Sequence, residues 1–251
     1  MSVDAELGWG FHDLSQAPTG RVRAGREGWR TLLDLFEYYE LPATWGIVGH
    51  LFLSECDGTH PEVPAPDEWF ACGSPDTVWD RHRFFAPDLV RSVVESPVAH
   101  DVGLHSFSHP IFGDVETSEA RARAEVDAAV EAARGFGVDP TSFVFPRNRV
   151  DHRSVLADSP VTCYRGVRPD EGAAWKEKVR DAVLGARPPP LVRPTVDEYG
   201  LVNFPVSLYL FGFQGPAREV AVRVRTDPIV EGVDLRRADN WALTFSEHDS
   251  R

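Results

Sequence analysis

Two histidines four residues apart stand in the segment Gly103-Leu104-His105-Ser106-Phe107-Ser108-His109-Pro110. Two imidazoles so spaced can share one helix face, as in H-E-x-x-H metalloproteases, but the glutamate that motif requires is here Ser106. Pro110 also biases His109 away from helical geometry. The spacing therefore predicts a turn leaving a strand, which can still aim both rings at one ion. Two histidines with one carboxylate are a recurrent metal-binding set that keeps a coordination position open for water or substrate. The carboxylates available are Asp4 and Glu6, in Ser2-Val3-Asp4-Ala5-Glu6. Without such an acidic partner the histidine pair reads as two side chains bonded to backbone. A third polar cluster is Pro146-Arg147-Asn148-Arg149.

Each cluster follows a segment that reads as a strand. Ser2-Val3 is the first, Ala43 to Val48 the second, Val102 to Leu104 the third and Thr141 to Phe145 the fourth. Val161 to Tyr164 and Leu201 to Phe204 are also strand-like. Between them lie helical stretches. Trp29, Leu32, Leu33 and Phe36 fall at i, i+3, i+4 and i+7, one face of a helix that ends before Pro42. Leu89, Val90, Val93 and Val94 make a shorter face. Ser118 to Arg134 is alanine-rich, capped by Thr117 or Ser118, with Gly135 and Gly137 beyond its end. A short helix is expected around Arg153 to Ala157. The proline-bearing stretch Glu55 to Asp80 has no period and reads as a long insertion loop. Strands alternating with helices imply βαβ units and a parallel sheet, so the class is α/β. Periodicity alone leaves barrel and doubly wound sheet open. In both, the strands' carboxyl ends share one face, so clusters far apart in sequence can converge.

Composition bounds the rest. Over 251 residues, 42% are hydrophobic and seven Trp and fifteen Phe are present, enough for a core and against global disorder. Three cysteines are too few for a disulfide scaffold, and Cys56, Cys72 and Cys163 form no C-x-x-C pair, which argues against a thiolate zinc site. The net charge of −13 weighs against a nucleic-acid partner, whose phosphates it would repel. Lys176 and Lys178 are the only lysines. An acidic, lysine-poor surface fits solubility at high salt, while GC-rich coding produces the same arginine bias. Residues 1–20 have no apolar signal-peptide core, and the uncharged stretch Tyr199 to Ala217 holds too many prolines and glycines for a membrane span. A cytoplasmic protein with no membrane span is the expectation; the residues say nothing of oligomeric partners.

In this combination the sequence resembles the polysaccharide deacetylases, the NodB-homology or carbohydrate esterase family 4 group. His105-Ser106-Phe107-Ser108-His109-Pro110 is similar to the family's H-[ST]-x-x-H-P signature, and Pro42 to Gly49 to its second-strand motif A-T-F-F-V-x-G. Ser2 to Glu6 resembles its first-strand aspartate motif, in the D-x-E form of some divergent branches. Phe143 to Asn148 and Cys163 to Gly166 resemble a branch associated with polysaccharide biosynthesis. The resemblance spans about residues 1–215. It implies an irregular (β/α)7 barrel of the NodB-homology type. It also implies hydrolysis of N-acetyl or related acyl groups on a carbohydrate or glycan precursor, with a divalent metal, usually zinc. The catalytic domain would cover residues 1–218, with 219–251 a divergent tail that completes or flanks the barrel.

The resemblance also distributes roles. Glu6, His105 and His109 would hold the metal and Asp4 would be the general base; spacing alone leaves the reverse order of the two carboxylates open. Arg147 could steady the base carboxylate or the substrate, since guanidinium pairs with carboxylate in a fixed fork. Arg165 and Asn148 are expected at the substrate, and Trp9, Phe11 and Phe107 could stack on a sugar ring. Two departures matter. The family's R-x-P order is changed around Arg147, and its late L-x-x-H general-acid histidine has no clear counterpart, His248 standing in a different context. Two alternatives therefore accompany the deacetylase reading: a hydrolase of small non-sugar amides on the same barrel, and a sugar-binding pseudoenzyme without the general acid. The remaining histidines read as ordinary side chains, although His50 follows the second strand, at the same end of the sheet as the site.

Overall fold

The computed structural model describes residues 1–11, 14, 18–70, 78–167 and 192–206. The Lys176/Lys178 and Pro188–Pro190 segments, Cys72, His248 and everything from residue 207 onward lie outside the described residues.

Seven strands form one sheet. In chain order they are β1 (Ser2–Ala5), β2 (Thr44–Ile47), β3 (Asp101–Leu104), β4 (Ser142–Val144), β5 (Cys163–Gly166), β6 (Thr195–Val196) and β7 (Val202–Pro205). Their spatial order is β1-β2-β3-β4-β5-β7-β6. All pairings are parallel except that of the two-residue β6 with β7. Helices α1 (Thr19–Tyr38), α2 (Val78–Phe84), α3 (Pro87–Val94), α4 (Glu119–Gly135) and α5 (Arg153–Ala157) connect the strands. This is the expected α/β class, with helices on the outside of a mostly parallel sheet.

The helices form where their apolar residues recur. On α1, Trp29, Leu32, Leu33 and Phe36 are buried, and Trp29 stacks on Trp45 of β2 at 5.3 Å between ring centroids. Ser118 caps α4 by accepting from the Arg121 amide at 3.2 Å, and Gly137 beyond its end takes the positive φ of 84° that glycine tolerates. The buried face of α4 is built of small residues, Ala122, Ala129 and Ala133 around Val126. It approaches the 3-10 turn Gly49–Phe52 so closely that a Cβ at Gly49 would meet the Ala129 backbone at 2.9 Å. The expected loop is irregular through residues 53–70, but helix α2 begins at Val78, inside its predicted limit.

The sheet is strongly curled. Four strand spacings separate β1 from β5, about 19 Å in a flat sheet. Yet Arg165 of β5 pairs directly with Asp4 of β1, which requires the ribbon to bend back on itself. Gly46 of β2 makes room inside the curl for Val144 of β4, two strands away. Among the described residues no hydrogen-bonded pairing joins β1 to the β6 edge.

Candidate metal and active site

Register sets the site. Ala5 aligns with Ile47 and Ile47 with Leu104, so Glu6 and His105 emerge level with one another from the carboxyl ends of β1 and β3. With one strand between them, the two backbones are roughly 10 Å apart, a gap that a glutamate and an imidazole can close. Glu6 Oε2 lies 3.3 Å from His105 Nε2 and 2.9 Å from His109 Nε2, and all three side chains are buried.

The chain between the two histidines is a built turn. Ser106 and His109 both take positive φ, 59° and 64°. Ser106 Oγ donates to the His105 carbonyl at 2.6 Å and accepts from the His109 amide at 3.0 Å. Beneath the turn, Glu125 of α4 accepts from the Phe107 amide (2.9 Å), the Ser108 amide (2.7 Å) and the Ser108 hydroxyl (2.5 Å). Burial pushes the Glu125 carboxyl above its ordinary range against the pull of Ser108. Nothing in the sequence marked Glu125: it is one of several acids on an alanine-rich helix. Each buried donor left without an acceptor costs about 1–3 kcal/mol. Glu125→Ala, which orphans three, is expected to destabilise the fold by about 3 kcal/mol or more in denaturant unfolding. A loss under about 1 kcal/mol would refute the clamp.

The electronic arrangement fits a cation. His105 Nδ1 lies 2.7 Å from the Val144 carbonyl, and because a carbonyl only accepts, that nitrogen carries the proton. His105 therefore presents Nε2 to the Glu6 carboxylate, a meeting that positive charge between the two favours. His109 Nε2, although close to the same carboxylate, is a buried nitrogen with no aligned hydrogen-bond partner. One carboxylate and two imidazoles, one of them oriented by a backbone carbonyl, match the donor set and outer-shell support of zinc-class sites. Gly10 completes the cradle, since a Cβ there would collide with the Glu6 carboxylate.

Burial works to raise the Glu6 carboxyl, but the facing His109 and His105 outweigh it and hold it at about 2, below the ordinary 4.5. A carboxyl lowered in the fold contributes stability above its ordinary value, and that stability is lost as pH falls toward the folded value. Acid unfolding of chelator-treated protein should therefore show a loss between about pH 4.5 and 2 that Glu6→Gln does not show. Coincident acid profiles would contradict the pairing.

Asp4, two residues before Glu6, is held by a bidentate fork from Arg165, whose Nη2 lies 2.7 Å from Asp4 Oδ2 and 2.8 Å from Asn148 Oδ1. Of the two candidate arginines, the one that meets Asp4 is Arg165. Arg165 grips the Asp4 carboxylate, whereas Arg147 sits in the turn after β4 with φ 51° and donates to the Gly10 carbonyl at 3.4 Å. β5 points Arg165 into the curl, which strand periodicity alone could not show. Trp9 and Phe107 are 0% and 3% exposed and offer no face to a sugar; Phe11 is buried as well. The Trp9 and Phe107 rings pack around His50 instead. Half-buried Trp69 and Phe70, which carried no sequence signal, line a surface cleft of about 410 Å³ together with His60 and Glu68. Trp69 Nε1 donates to Ser108 Oγ at 2.8 Å, which sets the cleft beside the His105–His109 turn.

A mostly parallel, curled seven-stranded sheet with this constellation at its carboxyl ends defines an α/β protein. Residues 16–162 match the family model described as polysaccharide deacetylase, and the chain belongs to that family. The match takes in His105 and His109 and begins after Asp4 and Glu6. No curated protein matches the chain. Among solved structures, a Mycobacterium smegmatis protein provisionally assigned as a polysaccharide deacetylase is similar, at 16% identity and a TM-score of 0.52 over 86% of this chain. The chain spans 62% of that protein's length. The Xyl-CE4 domain of a multidomain xylanase from the hindgut metagenome of Trinervitermes trinervoides is 14% identical over 87% of this chain and 75% of that one, with a TM-score of 0.35. The fold likeness rests on the first alone.

Proposed function

We propose that the protein is a metal-dependent hydrolase that removes an acyl group, an N-acetyl group in the first instance, from a carbohydrate or glycan precursor. It would thus act on carbon–nitrogen bonds other than peptide bonds. The observation that carries this reading is the buried meeting of Glu6, His105 and His109 around a point that favours positive charge, in a chain of the polysaccharide deacetylase family.

Glu6, His105 and His109 would hold the ion, zinc in the first instance. When bound, a divalent ion polarises a carbonyl oxygen and acidifies water. Asp4 is the proton acceptor: its carboxylate takes the proton from the attacking water and keeps it available for the departing amine nitrogen. Arg165 fixes the orientation of that carboxylate, and Asn148 in turn fixes Arg165. Glu6 touching both imidazoles and Asp4 touching neither support this order of the two carboxylates. Trp69 and Phe70, in place of Trp9 and Phe107, supply apolar surface for a sugar ring, and Arg147 helps to seat Gly10 above the Glu6 carboxylate.

The catalytic domain is taken as residues 1–218, with 219–251 flanking it, and the location as cytoplasmic. No helix among the described residues is long and apolar enough to cross a membrane. The test measures acetate release from N-acetylated amino sugars, O-acetylated sugars and small non-sugar amides, with chelator and with zinc restored. Zinc-dependent turnover of the N-acetylated sugars alone is expected. Turnover confined to non-sugar amides would reassign the substrate, and glycan binding without turnover in the zinc-loaded protein would make the chain a binding module.

A further inference from the structure

A second cluster of metal-ligating side chains lies outside the catalytic constellation. His50, Cys56 and His60 each present a ligand atom within 4.8 Å of the others. His50 is buried in the 3-10 turn after β2, and Cys56 and His60 are half-buried in the irregular stretch that follows. Cys56 Sγ is 3.0 Å from His60 Nε2 and accepts from the Gly58 amide at 3.1 Å. His60 turns its other nitrogen, Nδ1, to the Glu62 carboxylate at 3.2 Å. That is the carboxylate–histidine support common behind metal-bound imidazoles, and it leaves Nε2 to face the sulfur. His50 Nδ1 lies 3.2 Å from the Phe84 carbonyl, which holds this ring in the same manner.

We infer that His50, Cys56 and His60 form a second cation site, selective for a zinc-class ion. One thiolate and two imidazoles are a soft-to-borderline set suited to Zn²⁺ and Co²⁺ and poorly suited to Mg²⁺ or Ca²⁺. The thiol proton leaves to solvent on binding, and with Glu62 behind His60 the two negative charges balance a divalent ion. The site does not depend on the deacetylase reading. Its ligands tie the turn at 49–52 to the loop that supplies Trp69 and Phe70, and His60 itself lines the cleft. An ion here therefore fixes the cleft wall, whereas the Glu6 site addresses the reacting bond.

Cobalt discriminates the two sites, because Glu6, His105 and His109 contain no sulfur. Titration of the full chain with Co²⁺ is expected to produce a sulfur-to-cobalt charge-transfer band in the near ultraviolet, which Zn²⁺ then displaces. Cys56→Ser should abolish the band, and His60→Gln should weaken the cobalt affinity it reports by about tenfold or more. Glu6→Gln should leave it in place. Absence of the band in the wild-type chain, its survival in Cys56→Ser, or an unchanged affinity in His60→Gln would each overturn the assignment. Should Cys56→Ser fail to fold, the His60→Gln titration decides alone.

Discussion

His109→Ala is expected to lower turnover of an N-acetylated amino sugar by about a thousandfold or more, the scale of the several kcal/mol a bound divalent ion supplies. The physical reason is local. His109 Nε2 is a buried nitrogen 2.9 Å from the Glu6 carboxylate, and its removal takes away one of the two imidazoles that carboxylate meets. Metal content should fall with activity, so elemental analysis of the variant reports the same loss independently of any substrate. His105→Ala should behave alike, with the Val144 carbonyl left without its donor as an added cost. Wild-type turnover in both variants would remove the metal from the mechanism. Because Cys56 and His60 are untouched, the sulfur-to-cobalt band should survive in each.

Asp4→Asn should leave metal content intact and lower kcat by about 10²–10⁴-fold, the usual contribution of a positioned general base. Asparagine keeps the shape but cannot accept the proton, and it gives Arg165 a neutral partner in place of a carboxylate. Arg165→Lys is expected to cost about 10–100-fold, since a lysine cannot reproduce the two-pronged grip on Asp4 while also reaching Asn148. The contrast between activity and metal content separates the two carboxylates. Loss of metal in Asp4→Asn with retention in Glu6→Gln would reverse the assigned roles.

Much of this site is legible in the sequence because local rules and topology place it. Pro110 and the strand before His105 give a turn instead of a helix, and alternation along β1 sends Asp4 and Glu6 to one side. Parallel connectivity then brings the strands' carboxyl ends to one face, so the His105 turn and the Asp4–Glu6 segment are expected to meet, while which carboxylate faces the imidazoles is left to the fold, which pairs Glu6 with His105 across ninety-nine residues. α4 was equally readable, Ser118 as a cap and Gly137 beyond its end included, whereas of α1 only the face from Trp29 to Phe36 was, its start at Thr19 falling where a loop was expected.

What the chain could not reveal depends on curvature and on the paths of segments without a period. Which arginine meets Asp4 is decided by how sharply the sheet bends between β1 and β5, a quantity summed over every strand and no property of either residue. Glu125 carries no mark among the other acids of α4, and it becomes a clamp only because that helix presses on the His105–His109 turn. Cys56 lacks a cysteine partner at metal-binding spacing, yet folding of the loop brings two histidines to it. Residue type and spacing thus settled the chemistry available at the strand ends, while tertiary packing, through side chains reaching across the curl, chose the partners.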